Sequence, residues 1–215
     1  MKAHLQYSKR EEFFNVLSHG LGFLLSVVGS AIMIIYTSRY QNAIGVASVV
    51  IYGVSIITMY LMSTLYHGAK HKQSKHLLQI LDHTSIFMLI AGCYTPLIVI
   101  LLRGNTRALI LLGSVWVAAI IGVVLNVVNM ERFKKISMAL YLLMGWAAIM
   151  ELKNIVMGLG KGGTILLIAG GLSYTVGVVF YKMKSTQYMH AVWHLFVLAG
   201  SILHYACIFR YVILA

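Results

Sequence analysis

Acidic side chains are nearly missing from this chain: Asp and Glu together number 5 among 215 residues. All charged residues amount to 10%, whereas a soluble domain carries about a quarter. Proline occurs once, at Pro96, so long apolar runs are free to remain helical. Cysteine occurs twice, at Cys93 and Cys207, each inside an apolar run. Isolated thiols of that kind read as packing residues rather than a disulfide. There is no low-complexity tail and no polar stretch large enough to fold as a separate soluble domain. No cleavable signal peptide is expected, because Met1–Arg10 is polar and no small-residue cleavage site follows a short apolar core.

What the chain does have is hydrophobic length, at 60% apolar residues. A spanning helix needs about 20 such residues. Seven segments meet or approach this: Val16–Tyr36, Ala43–Tyr66, Leu77–Leu102, Ala108–Val128, Ile136–Met157, Thr164–Tyr181 and Met189–Ile213. Glu151 and Lys153 make the fifth the weakest, and Pro96 is expected to kink or end the third. The predicted fold class is all-α: a polytopic membrane protein with seven transmembrane helices. It forms a single domain over residues 1–215, with a short N-terminal cytoplasmic segment, 1–15.

The net charge is +12, which in a soluble protein would raise nucleic acid as a partner. Here the basic residues fall in short clusters between apolar runs and read as topology, so no nucleic-acid partner is expected. Eleven of the 17 Lys and Arg lie on one side: Lys2, Lys9 and Arg10, then Lys70, Lys72 and Lys75, then Arg132, Lys134 and Lys135, then Lys182 and Lys184. The richer side is expected to be cytoplasmic, which puts the N-terminus inside and the C-terminus outside. An odd number of spans satisfies both ends.

That topology gathers polar residues near one boundary. The second segment ends with Ser63, Tyr66 and His67, the third begins with Asp82 and His83, and the seventh begins with His190 and His194. His190 and His194 are four apart and share a helical face. Three neutral imidazoles with one open position match a catalytic zinc site, in which bound water takes the fourth place with its pKa lowered to about 7. The expected metal ligands are His67, His190 and His194. Asp82 could take a proton from that water or orient it, and Ser63, one turn before His67, could donate from the second shell or polarise a carbonyl. His4, His71 and His76 read as interfacial anchors. His83 reads as a packing residue or a support to the residues around the metal, and His19 as a helper or an anchor. His204 lies about 15 Å beyond His194 along the helix, too deep to share its metal. Asn126, Asn129 and Glu151 read as helix-end or interhelical polar contacts.

These residues resemble a family. Glu12-x-x-Asn15-x-x-Ser18-His19, Ser63-x-x-x-His67, Leu81-Asp82-His83, Ala91-Gly92-Cys93-Tyr94-Thr95-Pro96 and His190-x-x-x-His194 are similar, in order, to motifs of the hemolysin III family. That family is related to the progestin and adiponectin receptors and, more distantly, to alkaline ceramidases. The resemblance covers essentially the whole chain. It implies seven helices with the N-terminus inside, a zinc ion held at His67, His190 and His194, Asp82 on the zinc water and Ser63 nearby.

Two functions follow as expectations. The first is a zinc-dependent hydrolase of lipid amide or ester bonds, multi-pass in a bacterial cell membrane. The second is a non-enzymatic membrane-homeostasis regulator, receptor-like or cytolytic protein with a structural zinc. A pore lacks its ring of charge, a transporter lacks its inverted repeat with broken helices, and a retinal protein lacks a lysine midway along the last span.

Overall fold

The computed structural model describes residues 7–183 and 185–214. The expectations for Lys2, His4 and Lys184 lie outside the described residues, among which there is helix and no strand. Helix α1 spans Lys9–Tyr40, α2 Ala43–Gly68, α3 Lys72–Pro96, α4 Thr106–Trp146, α5 Leu152–Lys182 and α6 Met189–Ile208. Ser8 and Glu11 form a reciprocal capping box that starts α1, and Asn42 and Asn105 cap α2 and α4 through their side-chain oxygens. Pro96 ends the regular part of α3, and the chain continues as a π-helical turn, Leu97–Leu101. This is the expected consequence of a residue with no N–H to donate.

Five stretches are long and apolar enough to cross a membrane, the longest being Thr106–Lys182 at 77 residues. A straight helix of that length would exceed 100 Å, over three times a bilayer core of about 30 Å. It does not run straight. Ser137 Oγ donates to Asn126 Oδ1 at 2.6 Å, and Asn126 Nδ2 donates to the Tyr141 hydroxyl at 3.4 Å. Along an unbroken helix, residues 126 and 137 would be about 16 Å apart. The chain therefore folds back on itself at Asn129, whose φ of −164° and ψ of 88° leave the helical region. Asn129 Oδ1 then accepts from the Arg132 N–H and restarts the helix.

A second reversal falls at Gly160, with a φ of 62° that a side chain would strain. Beyond it the chain returns alongside α4, where Trp146 Nε1 donates to Thr175 Oγ1 at 3.0 Å. Loops were expected over 129–135 and 158–163. The structure instead keeps these residues helical and turns the chain at one residue in each place. A side-chain cap at Asn129 and a left-handed glycine at 160 need no longer linker.

The packing pairs set the directions of the helices. Asn15 meets His67 while Gly53 meets Ser30, so α1 and α2 are antiparallel. Lys75 lies over the Tyr66 ring while Gly92 meets Ser55, so α2 and α3 are antiparallel too. Helix α6 runs parallel to α1: Ser18 pairs with His194, and the Tyr205 hydroxyl donates to the Gly29 carbonyl. The Tyr141 hydroxyl donates to the His83 carbonyl at 2.7 Å, so the Asn129 reversal sits at the same end of the bundle as the start of α3. His67 and His190 are at that end as well. Leu101 packs on Gly158, so the Gly160 reversal lies at the opposite end. Tyr52, Tyr60, Phe87 and Met59 fill the interior, while the outer face is apolar, as at Val128 (70% exposed) and Leu143 (69%). An apolar exterior over a packed core is what lipid contact requires.

The close approach of α3 to the first arm of α4 depends on Gly122, where an added Cβ would overlap the fully buried Phe87 ring. Gly122→Ala is expected to destabilise the protein by about 1–3 kcal/mol. Gly113→Ala, whose new Cβ meets nothing within 4 Å, should be neutral or stabilise by up to about 1 kcal/mol. Thermal unfolding of both variants in detergent checks this, and equal melting temperatures would contradict the packing.

Candidate metal centre

Three imidazoles converge where the end of α2 meets the start of α6. His67 Nε2 lies 3.1 Å from His190 Nε2, and the ligating atoms of His67, His190 and His194 all fall within 4.8 Å of one another. Nitrogens on one tetrahedral zinc, at bond lengths of about 2.0–2.1 Å, sit about 3.4 Å apart. The observed spacing is close to that of a set of ligands around one ion. His67 and His194 are buried and His190 is half-buried. One turn of α6 separates His190 from His194, with ring centroids 4.6 Å apart, and the last turn of α2 delivers the third ring.

Helix α1 determines which nitrogens are free to bind. His67 Nδ1 lies 2.6 Å from Glu12 Oε2. A carboxylate can only accept, so the proton sits on Nδ1 and the Nε2 lone pair points toward His190. Glu12 is itself held by Lys75 Nζ at 2.5 Å. Ser18 Oγ donates to the Asn15 carbonyl at 3.0 Å and lies 3.1 Å from His194 Nδ1. With its proton already committed, the Ser18 oxygen accepts from Nδ1–H, which leaves His194 Nε2 as the lone-pair donor. Carboxylate and hydroxyl partners of this kind fix tautomer and ring orientation at metal sites. A set of imidazole nitrogen donors suits a borderline metal such as zinc better than calcium or magnesium.

Other polar residues surround this set. His19 stacks on His194 with ring centroids 3.5 Å apart, and Tyr60 meets His19 edge-on. Both ring nitrogens of His19, the Ser63 hydroxyl and Asn15 Oδ1 are buried without a hydrogen-bond partner. Ser63 lies one turn below His67, as expected from its sequence position. Asp82 is partly buried on α3, with Oδ2 3.7 Å from His83 Nδ1; it is not among the residues whose ligating atoms converge.

The remaining histidines separate clearly. His83 Nδ1 donates to the Gln79 carbonyl at 2.9 Å, and His71 and His76 are exposed. His204 Nε2 donates to the Leu167 carbonyl at 3.1 Å, and its Nδ1 lies 3.5 Å from the Cys93 sulfur, away from the cluster. Cys93 and Cys207 are free thiols. Glu151 accepts from Asn105 and Asn154 as a helix-end contact. Glu12, Asn15 and Ser18 are the functional positions to which residue chemistry assigned no role. A signal for two of them existed: Glu12 and Asn15 recur with His19 on one helical face of an otherwise apolar run.

Known proteins are similar to this chain in sequence. A family model described as haemolysin-III related matches residues 7–205. Hemolysin-3 of Bacillus cereus is 40% identical over 204 residues, covering 95% of this chain and 93% of that protein. The hemolysin-3 homolog of Bacillus subtilis (strain 168) is 40% identical over 205 residues, covering 95% and 96%. The human monocyte to macrophage differentiation factor is 29% identical over 214 residues, covering 94% and 84%.

Glu12→Gln keeps the size of the side chain but removes the charge that orients His67. It is expected to weaken binding of a divalent transition metal about 10- to 100-fold, read by competition with a chromophoric chelator. Unchanged affinity would show that Glu12 does not buttress the site.

Proposed function

The chain belongs to the haemolysin-III related family, and from that premise we propose a seven-span protein of the bacterial cell membrane that holds zinc at His67, His190 and His194 and hydrolyses lipid amide or ester bonds. The observation that carries this reading is the convergence of the three imidazoles, with the Nδ1 protons of His67 and His194 taken up by α1. Seven crossings are supported by the reversals at Asn129 and Gly160, which divide the 77-residue stretch into three arms. The parallel course of α1 and α6 requires an odd number. A cytoplasmic N-terminus is supported by Lys72, Lys75, Arg132 and Lys134 gathering at the end where His67 lies.

A bound zinc would supply a Lewis acid and bring the pKa of a coordinated water to about 7. The chain's own residues do the rest. His67 and His194 present their Nε2 atoms because Glu12 and Ser18 hold the opposite nitrogens. Asp82 serves as the group that takes the proton from the attacking water and passes it to the leaving amine or alcohol. The unpartnered Ser63 hydroxyl donates to the substrate carbonyl oxygen and so orients it.

A second reading is non-enzymatic. The metal would staple α2 to α6 and, through Glu12 and Ser18, to α1, in a protein that tunes or senses membrane state or lyses membranes. The separation of Asp82 from the convergent set favours it. Metal content and lipid amide or ester cleavage, measured on the parent and on four variants, separate the two. His67→Ala, His190→Ala and His194→Ala are expected to lose metal. Asp82→Ala is expected to keep metal and to lose about 10²- to 10⁴-fold in turnover. Cleavage by no metal-replete preparation, with Asp82→Ala unchanged in every property, would leave the structural reading.

A further inference from the structure

Between α1 and α6, outside the metal centre, runs a lipid-facing groove of about 660 Å³. Phe14, Leu17 and Leu21 line one wall, and Leu195 and Leu198 the other. Polar groups are few, and one is Ser18, whose hydroxyl touches His194 Nδ1. The groove floor is therefore one hydrogen bond from a candidate metal ligand.

Its mouth is built with care. Tyr188 lines the groove and caps α6 in the left-handed region, with a φ of 63°. It is the one non-glycine residue with positive φ among those described, and such strain is found where a site demands it. Glu11 Oε1 accepts from its N–H at 3.1 Å, and its ring meets Phe14 edge-on. Arg10 lies one turn before Phe14 on the same stripe of α1 as Leu17 and Leu21. It is exposed and has no ion pair among the described residues. The adjacent carboxylates are engaged elsewhere, Glu11 with Ser8 and Tyr188, Glu12 with His67 and Lys75.

We propose that this groove is an acyl-chain site for an anionic phospholipid, with its phosphate on Arg10 and its chain running past Ser18. An apolar groove whose α1 wall is preceded, one helical turn before Phe14, by an exposed arginine with no ion pair among the described residues complements an acyl chain ending in a phosphate. Occupancy would bear on the hydroxyl that orients His194, and so connect the membrane's anionic lipid to the metal centre. The lipid's consequence for turnover rests on the hydrolase reading, but its binding does not.

The test is photo-crosslinking of the full-length protein in nanodiscs, with phosphatidylglycerol or phosphatidylcholine bearing a diazirine in the acyl chain, and peptide mapping as readout. Phosphatidylglycerol should label the 14–21 and 191–198 segments above the lipid-facing part of α4 around Val117. Arg10→Ala should lower that labelling about fivefold, the worth of one basic residue near an anionic surface, and leave phosphatidylcholine labelling unchanged. Leu195→Trp, a substitution at an exposed position, should fill the groove and abolish both without changing metal content. Equal labelling by the two lipids, or by the groove and the α4 face, would overturn the proposal, as would indifference to both variants. A labelled groove on a protein that cleaves no lipid keeps this inference and removes the hydrolase reading. Cleavage with an unlabelled groove does the reverse.

Discussion

A buried imidazole N–H in a bilayer protein is costly to leave unsatisfied, because lipid offers no water to take it up, and His67 and His194 meet that cost through α1. That constraint organises the functional end of the molecule. His67 and His194 stand on different helices, and each gives its Nδ1 proton to a residue of α1, to Glu12 and Ser18 respectively. Helix α1 cannot shift without leaving an N–H stranded on both neighbours. The same two bonds free the Nε2 atoms to face inward, so stability and ligand geometry are met by one arrangement. Lys75 extends the arrangement to α3 by neutralising Glu12, whose charge would otherwise be costly in a half-buried place.

The bundle that holds this end together relies on close helix contacts rather than on long loops. Gly22 admits the Tyr60 ring, Gly122 admits Phe87, and Gly170 and Gly177 admit His204 and Trp193. Small residues at interfaces let membrane helices approach where there is no hydrophobic force between them. Reversal at single residues, Asn129 and Gly160, serves the same economy. The tyrosines act as interior ties: Tyr94 donates to the Met144 carbonyl, Tyr141 to that of His83, and Tyr205 to that of Gly29.

Most of the unsatisfied groups lie beside the candidate metal centre. His19 has no partner for either ring nitrogen, and Ser63 and Asn15 each keep one buried oxygen unpaired. Of the five unpartnered buried polar atoms among the described residues, four belong to these three side chains. A fold that, among the described residues, leaves only the Ser30 hydroxyl open elsewhere has kept hydrogen-bonding capacity where a ligand would use it.

Membrane residence, the helical class and the run of apolar segments were determined by the sequence alone, because composition and segment length answer directly to the bilayer as a solvent. That His67, His190 and His194 could come together was legible as well, since i, i+4 spacing and the alternation of loop charge depend only on local geometry and topology. Helix ends were less so: the loops expected at 129–135 and 158–163 are helix, because a side-chain cap and one left-handed glycine can turn a chain without a polar linker. Only the tertiary structure decided how these histidines are held. Glu12 and Ser18 are 55 and 176 residues from the histidines they orient, and no local pattern couples residues that meet solely through packing. On α6, His194 acquires its hydrogen-bond partner and its place beside an apolar groove from α1, the helix at the other end of the chain.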